Sequence, residues 1–190
     1  MTQLKESKQS RARKMMLWFG IASLLMTFAG WTSAYIVSSR REDWLTDFEL
    51  PQAFWISTTI LIISSLTYWM AVRSAKQDAQ GKTRGWLYLT LALGLAFVAF
   101  QFKGFSAMIA SGYYFTGPTS SITLSYVYLI AMVHLLHVAV GLISLGVVIY
   151  QQHKGAYGPG NMTGIEMGST FWHFLDFLWL YLVLFFAFYR

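Results

Sequence analysis

Two apolar stretches in the C-terminal third of the chain carry paired ionisable residues at a spacing of three. His134 and His137 lie in the first stretch, and His173 and Asp176 lie in the second. Residues at this spacing share one face of an α-helix. An imidazole or a carboxyl group in hydrocarbon is costly unless it faces protein and finds a partner. The spacing therefore predicts two helices that turn these side chains toward neighbouring helices and turn leucine, valine and phenylalanine toward lipid.

Four kinds of chemistry fit the set formed by these four residues and the nearby Glu166. Hydrogen bonds between histidines and carboxylates could hold the last two helices together, with Asp176 as the acceptor for a buried histidine. Such bonds are worth only about 1 kcal/mol in membranes, but unpaired polar groups cost more. Intramembrane histidines and carboxylates also conduct or buffer protons, bind metal or haem, and line transport routes. The residues by themselves leave these four functions open.

The ligand set for a metal or haem is sparse. Two histidines three residues apart share a metal only with further ligands, and the chain contains no cysteine. His137 lies near the middle of its predicted helix, whereas His173 lies one turn into the next. At 1.5 Å of rise per residue their depths differ by roughly 10 Å, which disfavours joint ligation of a haem.

The elements that position these residues follow from composition. The chain has 190 residues, of which 56% are hydrophobic and 12% are charged. A bilayer crossing takes about 20 apolar residues, and five stretches are long enough: 15–37, 53–72, 85–110, 123–150 and 169–189. They predict an all-α integral membrane protein built as a bundle of five transmembrane helices. A basic tail at 1–14 precedes one transmembrane domain at 15–190.

The basic residues are distributed unevenly between the two sides of this predicted bundle. Ten of the fourteen fall on the side of the N-terminus: Lys5, Lys8, Arg11, Arg13, Lys14, Arg73, Lys76, Lys82, Arg84 and Lys154. Basic loops stay in the cytoplasm, so we expect a cytoplasmic N-terminus and an external C-terminus. The net charge of +6 is then a topology signal, with anionic lipid as its contact. No nucleic-acid-binding motif is present, and nucleic acid is not an expected partner.

Two motifs resemble those of a known family. The fourth predicted helix contains His134-x-x-His137-Val138-x-x-Gly141-Leu142, and the fifth contains Phe171-Trp172-His173-Phe174-Leu175-Asp176-x-x-Trp179, with Glu166 seven residues before His173. These motifs resemble subunit III of the haem–copper respiratory oxidases, in the five-helix form of some bacterial oxidases. Weaker similarities are MTFAGWTSAY, ILIISSLTY and LGLAFVAFQ in the first three helices. Leu24 stands where the family carries an acidic residue.

The resemblance implies a non-redox accessory subunit of a bacterial-type terminal oxidase, which reduces oxygen to water and translocates protons. In that family haem and copper reside in partner subunits, so we expect no cofactor in this chain except structural phospholipid. The expected partners are the catalytic subunit I, subunit II, other respiratory subunits and membrane lipids, in a bacterial inner membrane. His134, His137, Glu166, His173 and Asp176 would form a structural interhelical polar network.

Two alternatives stay open at this stage. A subunit-III-like accessory protein of nitric oxide reduction has the same small architecture. A stand-alone histidine-based membrane transporter or metalloenzyme belongs to a different class. The chain is not expected to be catalytic by itself, and the electron donor, cytochrome c or quinol, binds to other subunits.

Overall fold

The protein is a bundle of five long helices. The computed structural model describes residues 2–45, 49–117 and 120–189, with side chains from residue 8 onward. The helices are α1 (Thr2–Ser38), α2 (Gln52–Lys76), α3 (Gln80–Ala110), α4 (Ile122–His153) and α5 (Thr163–Phe188). Each contains a segment long and apolar enough to cross a membrane. A helix satisfies all its backbone hydrogen bonds internally, as hydrocarbon requires. The prediction of an all-α fold with five long apolar helices is confirmed.

α1 and α5 begin 13 and 6 residues before their apolar stretches, and α3 begins 5 residues before its own. α1 begins at Thr2 and continues through the basic residues into the first span. Its 37 residues measure about 55 Å, well beyond the roughly 30 Å of a hydrocarbon core. α5 begins at Thr163, so Glu166 lies in its first turn. The Ser10 hydroxyl lies 2.9 Å from the Thr163 hydroxyl, and this contact supports both extensions. Hydropathy detects only the apolar part of such a helix.

α4 and α5 together form the centre of the bundle, and each packs against three other helices. α5 packs against α1, α2 and α4, while α3 packs against α2 and α4. α1 contacts α4 and α5, and within the described residues it does not pack on α2, its neighbour in sequence. The bundle is therefore a compact group of α2 to α5, with α1 lying along α4 and α5.

The N-terminus of α1, the turn from α2 to α3 and the loop from α4 to α5 meet at one end of the bundle. We call this the basic end, comprising residues 8–14, 73–84 and 154–166. In the turn, Asp78 adopts a positive φ of 55°. Its carboxyl accepts a hydrogen bond from the side-chain amide of Gln80 at 2.8 Å. The same amide donates to the Tyr157 carbonyl at 3.0 Å. The turn and the loop are thus tied together, which fixes α2 and α3 relative to the start of α5.

Candidate functional site

The centre of the bundle is organised by two tryptophans of α5. Trp172 and Trp179 are almost fully buried, and their indole nitrogens donate to hydroxyl groups of α2. Trp172 Nε1 lies 2.9 Å from Ser64 Oγ, and Trp179 Nε1 lies 3.1 Å from Thr58 Oγ1. A buried indole that finds a partner contributes its large apolar area without a desolvation penalty. These bonds fix the rotation of α5 about its axis relative to α2.

Glycines on two helices make room for this centre. A Cβ atom added to Gly94 of α3 would lie 2.8 Å from Trp172 Cη2, and one added to Gly141 of α4 would lie 2.9 Å from Leu175 Cδ1. Both distances are shorter than carbon atoms tolerate in contact. Gly141 therefore serves the close approach of α4 to α5, consistent with the use of small residues between membrane helices.

His173 connects α5 to α2 and not to α4. Its Nδ1 lies 2.5 Å from Ser65 Oγ, and its Nε2 lies 3.0 Å from Ser169 Oγ on its own helix. Its ring also packs 6.3 Å, centroid to centroid, from the ring of Tyr68. Both imidazole nitrogens are therefore bonded to hydroxyls, each of which can donate or accept.

Asp176 lies one turn further along α5 and is 9% exposed. Neither carboxyl oxygen has a hydrogen-bond partner within the described residues. The Ser65 hydroxyl lies near the carboxyl without meeting the distance and angle of a hydrogen bond. The expectation that Asp176 accepts from a buried histidine is not met by any bond that the described residues form.

His134 lies in an aromatic environment. It is 0% exposed, and neither ring nitrogen has a hydrogen-bond partner in the described part of the chain. The ring stacks on Trp179 at a centroid distance of 5.0 Å and meets Phe28 and Phe97 edge-on, both at 6.3 Å. An imidazole surrounded in this way is a packing element of the core.

The remaining two residues lie in different surroundings. His137 Nδ1 donates to the Val133 carbonyl of its own helix at 2.7 Å, and its ring packs edge-on against Phe28. Glu166 accepts from Lys14 of α1 at 3.0 Å, and Lys76 of α2 lies 3.7 Å away. Glu166 therefore connects three helices, α1, α2 and α5, at the basic end.

No hydrogen bond or ion pair joins any two of His134, His137, Glu166, His173 and Asp176, all of which the structure describes. The structure places His173 and Asp176 near the same α2 hydroxyl and the other three elsewhere. Among the described residues, no group of three or more histidine, cysteine, aspartate or glutamate side chains could hold a metal ion. A structural role for the five residues remains a proposal.

Sequence reasoning overlooked the hydroxyl groups of α2. Ser57, Thr58, Ser64, Ser65 and Thr67 all bond to neighbouring helices, for example Ser57 Oγ to Gln101 Nε2 at 2.9 Å and Thr67 Oγ1 to Thr90 Oγ1 at 2.8 Å. A signal was available, because pairs of hydroxyl residues recur seven positions apart, two turns of a helix. Hydroxyls on one face of a membrane helix indicate an interhelical contact.

Two clefts flank α1 near the basic end. The α1–α2 cleft, of about 390 Å³, has mixed walls, whose polar members include Lys14, Lys76, Glu166, Thr170 and His173. The α1–α4 cleft, of about 410 Å³, is more apolar: it is lined by Arg13, Leu17, Val140, Ser144, Val147, Val148, Tyr157, Gly164, Met167, Gly168 and Phe171. Both clefts exist because α1 stands slightly apart from the group of α2 to α5.

The sequence of this chain matches a known protein family. The family model described as Cytochrome c oxidase subunit III matches residues 43–190, which include both motifs. The chain is 38% identical over 133 residues to the cytochrome bo(3) ubiquinol oxidase subunit 3 of Pseudomonas aeruginosa, covering 70% of this chain and 62% of that protein. It is 30% identical over 171 residues to the cytochrome c oxidase subunit 3 of Thermostichus vulcanus, covering 88% and 82%.

A further relative is the probable quinol oxidase subunit 3 of Staphylococcus aureus, 30% identical over 135 residues, covering 71% of this chain and 65% of that protein. The match spans about three fifths of the length of the Pseudomonas aeruginosa relative, 62%, and of the cytochrome bo(3) ubiquinol oxidase subunit 3 of Pseudomonas putida, 59%. These relatives include proteins named for cytochrome c oxidases and others named for quinol oxidases.

Proposed function

The chain belongs to the cytochrome c oxidase subunit III family, and on that premise we propose that it is a non-redox accessory subunit of a bacterial-type haem–copper terminal oxidase. The observation that carries the proposal is the family match over 43–190, which contains both motifs. In this proposal the multi-pass subunit lies in the bacterial inner membrane with its basic end in the cytoplasm. It packs against the catalytic subunit I, together with subunit II, and the complex reduces oxygen to water and translocates protons.

The use made of the motif residues supports a non-catalytic role. Trp172 and Trp179 donate to α2, Gly141 admits Leu175, and His134 stacks on Trp179. An active site gathers reactive groups around one accessible cavity. Here the motif residues are occupied with helix packing, so haem and copper are assigned to the partner subunits.

We expect the tagged chain to purify together with haem-bearing subunits, and the isolated chain to show no Soret band and no stoichiometric metal. The reason is that the described residues supply no clustered ligand set. Absorption spectroscopy and elemental analysis on both preparations check this. One haem or one copper ion per isolated chain would contradict the non-redox assignment, and purification free of haem proteins would contradict the accessory role.

Removal of the subunit is expected to leave haem content and initial oxygen reduction largely intact, and to shorten the period over which turnover persists. A subunit that carries no electrons contributes by keeping the packing and proton delivery of its partner in order. Oxygen consumption is followed over time in complexes with and without the chain, at matched haem content. Equal persistence of turnover in both would leave only an assembly role.

The α1–α4 cleft is the place where we propose that structural phospholipid binds. Its walls are mainly apolar, and Arg13 lies at the basic end, so acyl chains and an anionic headgroup each meet matching chemistry. A basic residue near the membrane surface contributes about 1 kcal/mol toward an anionic lipid. The apolar walls add to the binding free energy through van der Waals contacts with the acyl chains.

Arg13→Ala is therefore expected to weaken the affinity for anionic phospholipid about fivefold, which corresponds to about 1 kcal/mol. Less anionic phospholipid should then co-purify with the chain. Ser144→Trp should reduce it further, because the indole would occupy the cleft. Lipid extraction and mass spectrometry give the amount per chain. Arg11→Ala, an exposed position that does not line the cleft, is the matched control. An equal effect of Arg11→Ala would show that only surface charge attracts the lipid.

A further inference from the structure

Asp176 is a buried carboxyl group without a hydrogen-bond partner among the described residues, which is energetically unfavourable. Its carboxyl is nine-tenths buried in the membrane-spanning part of α5, and neither oxygen has a hydrogen-bond partner among the described residues. An ionised carboxylate in such surroundings is far less stable than the neutral acid. The proton of such a carboxyl exchanges with water only along a route that the fold provides.

Most of the surroundings of Asp176 are closed to water. A void beside the carboxyl is lined by Leu61, Val138, Trp172 and Leu175, and it has no space for a water molecule. A water would also need two or more polar partners, which these side chains do not supply apart from the carboxyl itself. His173 lies one turn before Asp176 on the same face of α5, so the Ser65 hydroxyl that binds His173 lies on the side of the carboxyl as well.

Hydrogen bonds of His173 connect Ser65 with the α1–α2 cleft. The imidazole Nδ1 is bonded to Ser65 Oγ at 2.5 Å, and Nε2 is bonded to Ser169 Oγ at 3.0 Å. His173 and Ser169 both line the α1–α2 cleft, together with Thr170 and Glu166. The cleft, of about 390 Å³, is large enough for several waters. One nitrogen of His173 thus lies on the cleft side, and the other lies on the side of Asp176.

We propose that Asp176 is a proton-exchanging site that communicates with the solvent at the basic end through His173 and Ser65. In the inward step, Nε2 of neutral His173 takes a proton from a hydronium ion in the cleft, directly or in a concerted relay through the Ser169 hydroxyl, and a water molecule remains. Nδ1 passes its proton to Ser65 Oγ, and the Ser65 hydroxyl, once it rotates into hydrogen-bonding contact with the carboxylate, passes its own proton to Asp176. The imidazole and the hydroxyl end neutral, the carboxyl gains one proton, and reversal of these transfers releases it.

The charged and titratable groups around this route are few. From α1 and α2, Lys14 and Lys76 face the cleft and are paired with Glu166 of α5. Tyr68 of α2 packs against the His173 ring. On α4, His134 and His137 lie against Trp179 and Phe28. Within the described residues the route therefore has one histidine between the cleft and the buried carboxyl.

The test follows the rate of exchange and not the stability of the bundle. The full chain in its purified complex is transferred rapidly into D2O, and the protonated carboxyl stretch of Asp176 is followed by infrared spectroscopy. That band is identified by its absence in Asp176→Asn. His173→Ala should slow the deuterium shift by at least about tenfold, since general acid–base groups accelerate proton transfer by that much or more. His137→Ala, which removes an intramembrane histidine outside the route, should leave the rate unchanged.

Imidazole added to His173→Ala supplies a control that a purely structural role would not satisfy. Because alanine leaves a space beside Ser65, free imidazole entering from the α1–α2 cleft should restore the fast exchange. Equal rates in the wild-type chain and His173→Ala would overturn the proposal. So would slow exchange in His173→Ala that imidazole does not accelerate, or a wild-type spectrum without an Asp176-dependent protonated band. This inference does not depend on which oxidase the chain serves.

Discussion

Trp172→Ala is expected to destabilise the bundle by about 3–5 kcal/mol, the range for buried tryptophan. Trp172 is 2% exposed, and its ring fills the space between Gly94 of α3 and Gly141 of α4. Its loss would leave a cavity at the meeting point of four helices and an unpaired Ser64 hydroxyl on α2. Thermal unfolding in detergent and retention of the chain in its complex both measure the effect.

Two further substitutions separate the contributions of Trp172. Trp172→Phe keeps most of the ring volume and removes the donor to Ser64, so it should cost about 1–3 kcal/mol. Trp69→Ala truncates a tryptophan of α2 that is 51% exposed, and it should cost far less. If Trp69→Ala and Trp172→Ala lowered the unfolding temperature equally, burial at the centre of the bundle would not be the source of the effect.

Gly141→Val is expected to disrupt the contact between α4 and α5. The new Cβ would lie 2.9 Å from Leu175 Cδ1 and 3.4 Å from Trp172 Cε3, so the helices must separate or the side chains must leave their rotamers. Such overpacking costs about 1–3 kcal/mol, occasionally more. Gly146→Val is the matched control, because a Cβ at that position of the same helix meets nothing within 4 Å. Unfolding temperature and yield of assembled complex are the measurements.

A double variant tests whether Leu175 causes the clash. Leu175→Ala alone should destabilise by opening a cavity, but in combination with Gly141→Val it should restore part of the lost stability. Coupling between contacting residues is typically 0.5–3 kcal/mol in such cycles. Strictly additive losses would mean that Gly141 is required for another reason, such as the backbone approach of α4 to α5.

The sequence by itself determined the elements of this protein. Hydrophobic stretches long enough for a bilayer are local properties, and they identified all five helices. The two motifs around His134 and His173 identified the family. Both are independent of how the helices rotate about their axes. α1 and α5 begin earlier than their hydrophobic stretches predict, because a helix extends into polar residues where a neighbouring helix supports it. The contact between Ser10 and Thr163 is such a support.

Only the tertiary structure decided which neighbouring helix each polar side chain of α5 contacts. The spacing of His173 and Asp176 correctly indicated a common helix face, but it could not indicate which helix that face meets. α5 turns His173 and both buried indoles toward the hydroxyls of α2. A hydroxyl is small and uncharged, so a sequence search for ionisable pairs passes over it. Pairing of α5 with α2 is a consequence of rotation and depth, which single-helix periodicity does not contain.

His134 illustrates the same division. Its position in an apolar stretch predicted burial, and the residue is fully buried. The expectation that it has a polar partner came from the energetic cost of an isolated imidazole in hydrocarbon. The fold surrounds it instead with Trp179, Phe28 and Phe97 from three other helices. Aromatic faces and edges stabilise a ring through contacts that only the packed arrangement of several helices creates. The sequence therefore determined which residues are buried, and the tertiary structure decided what each of them contacts.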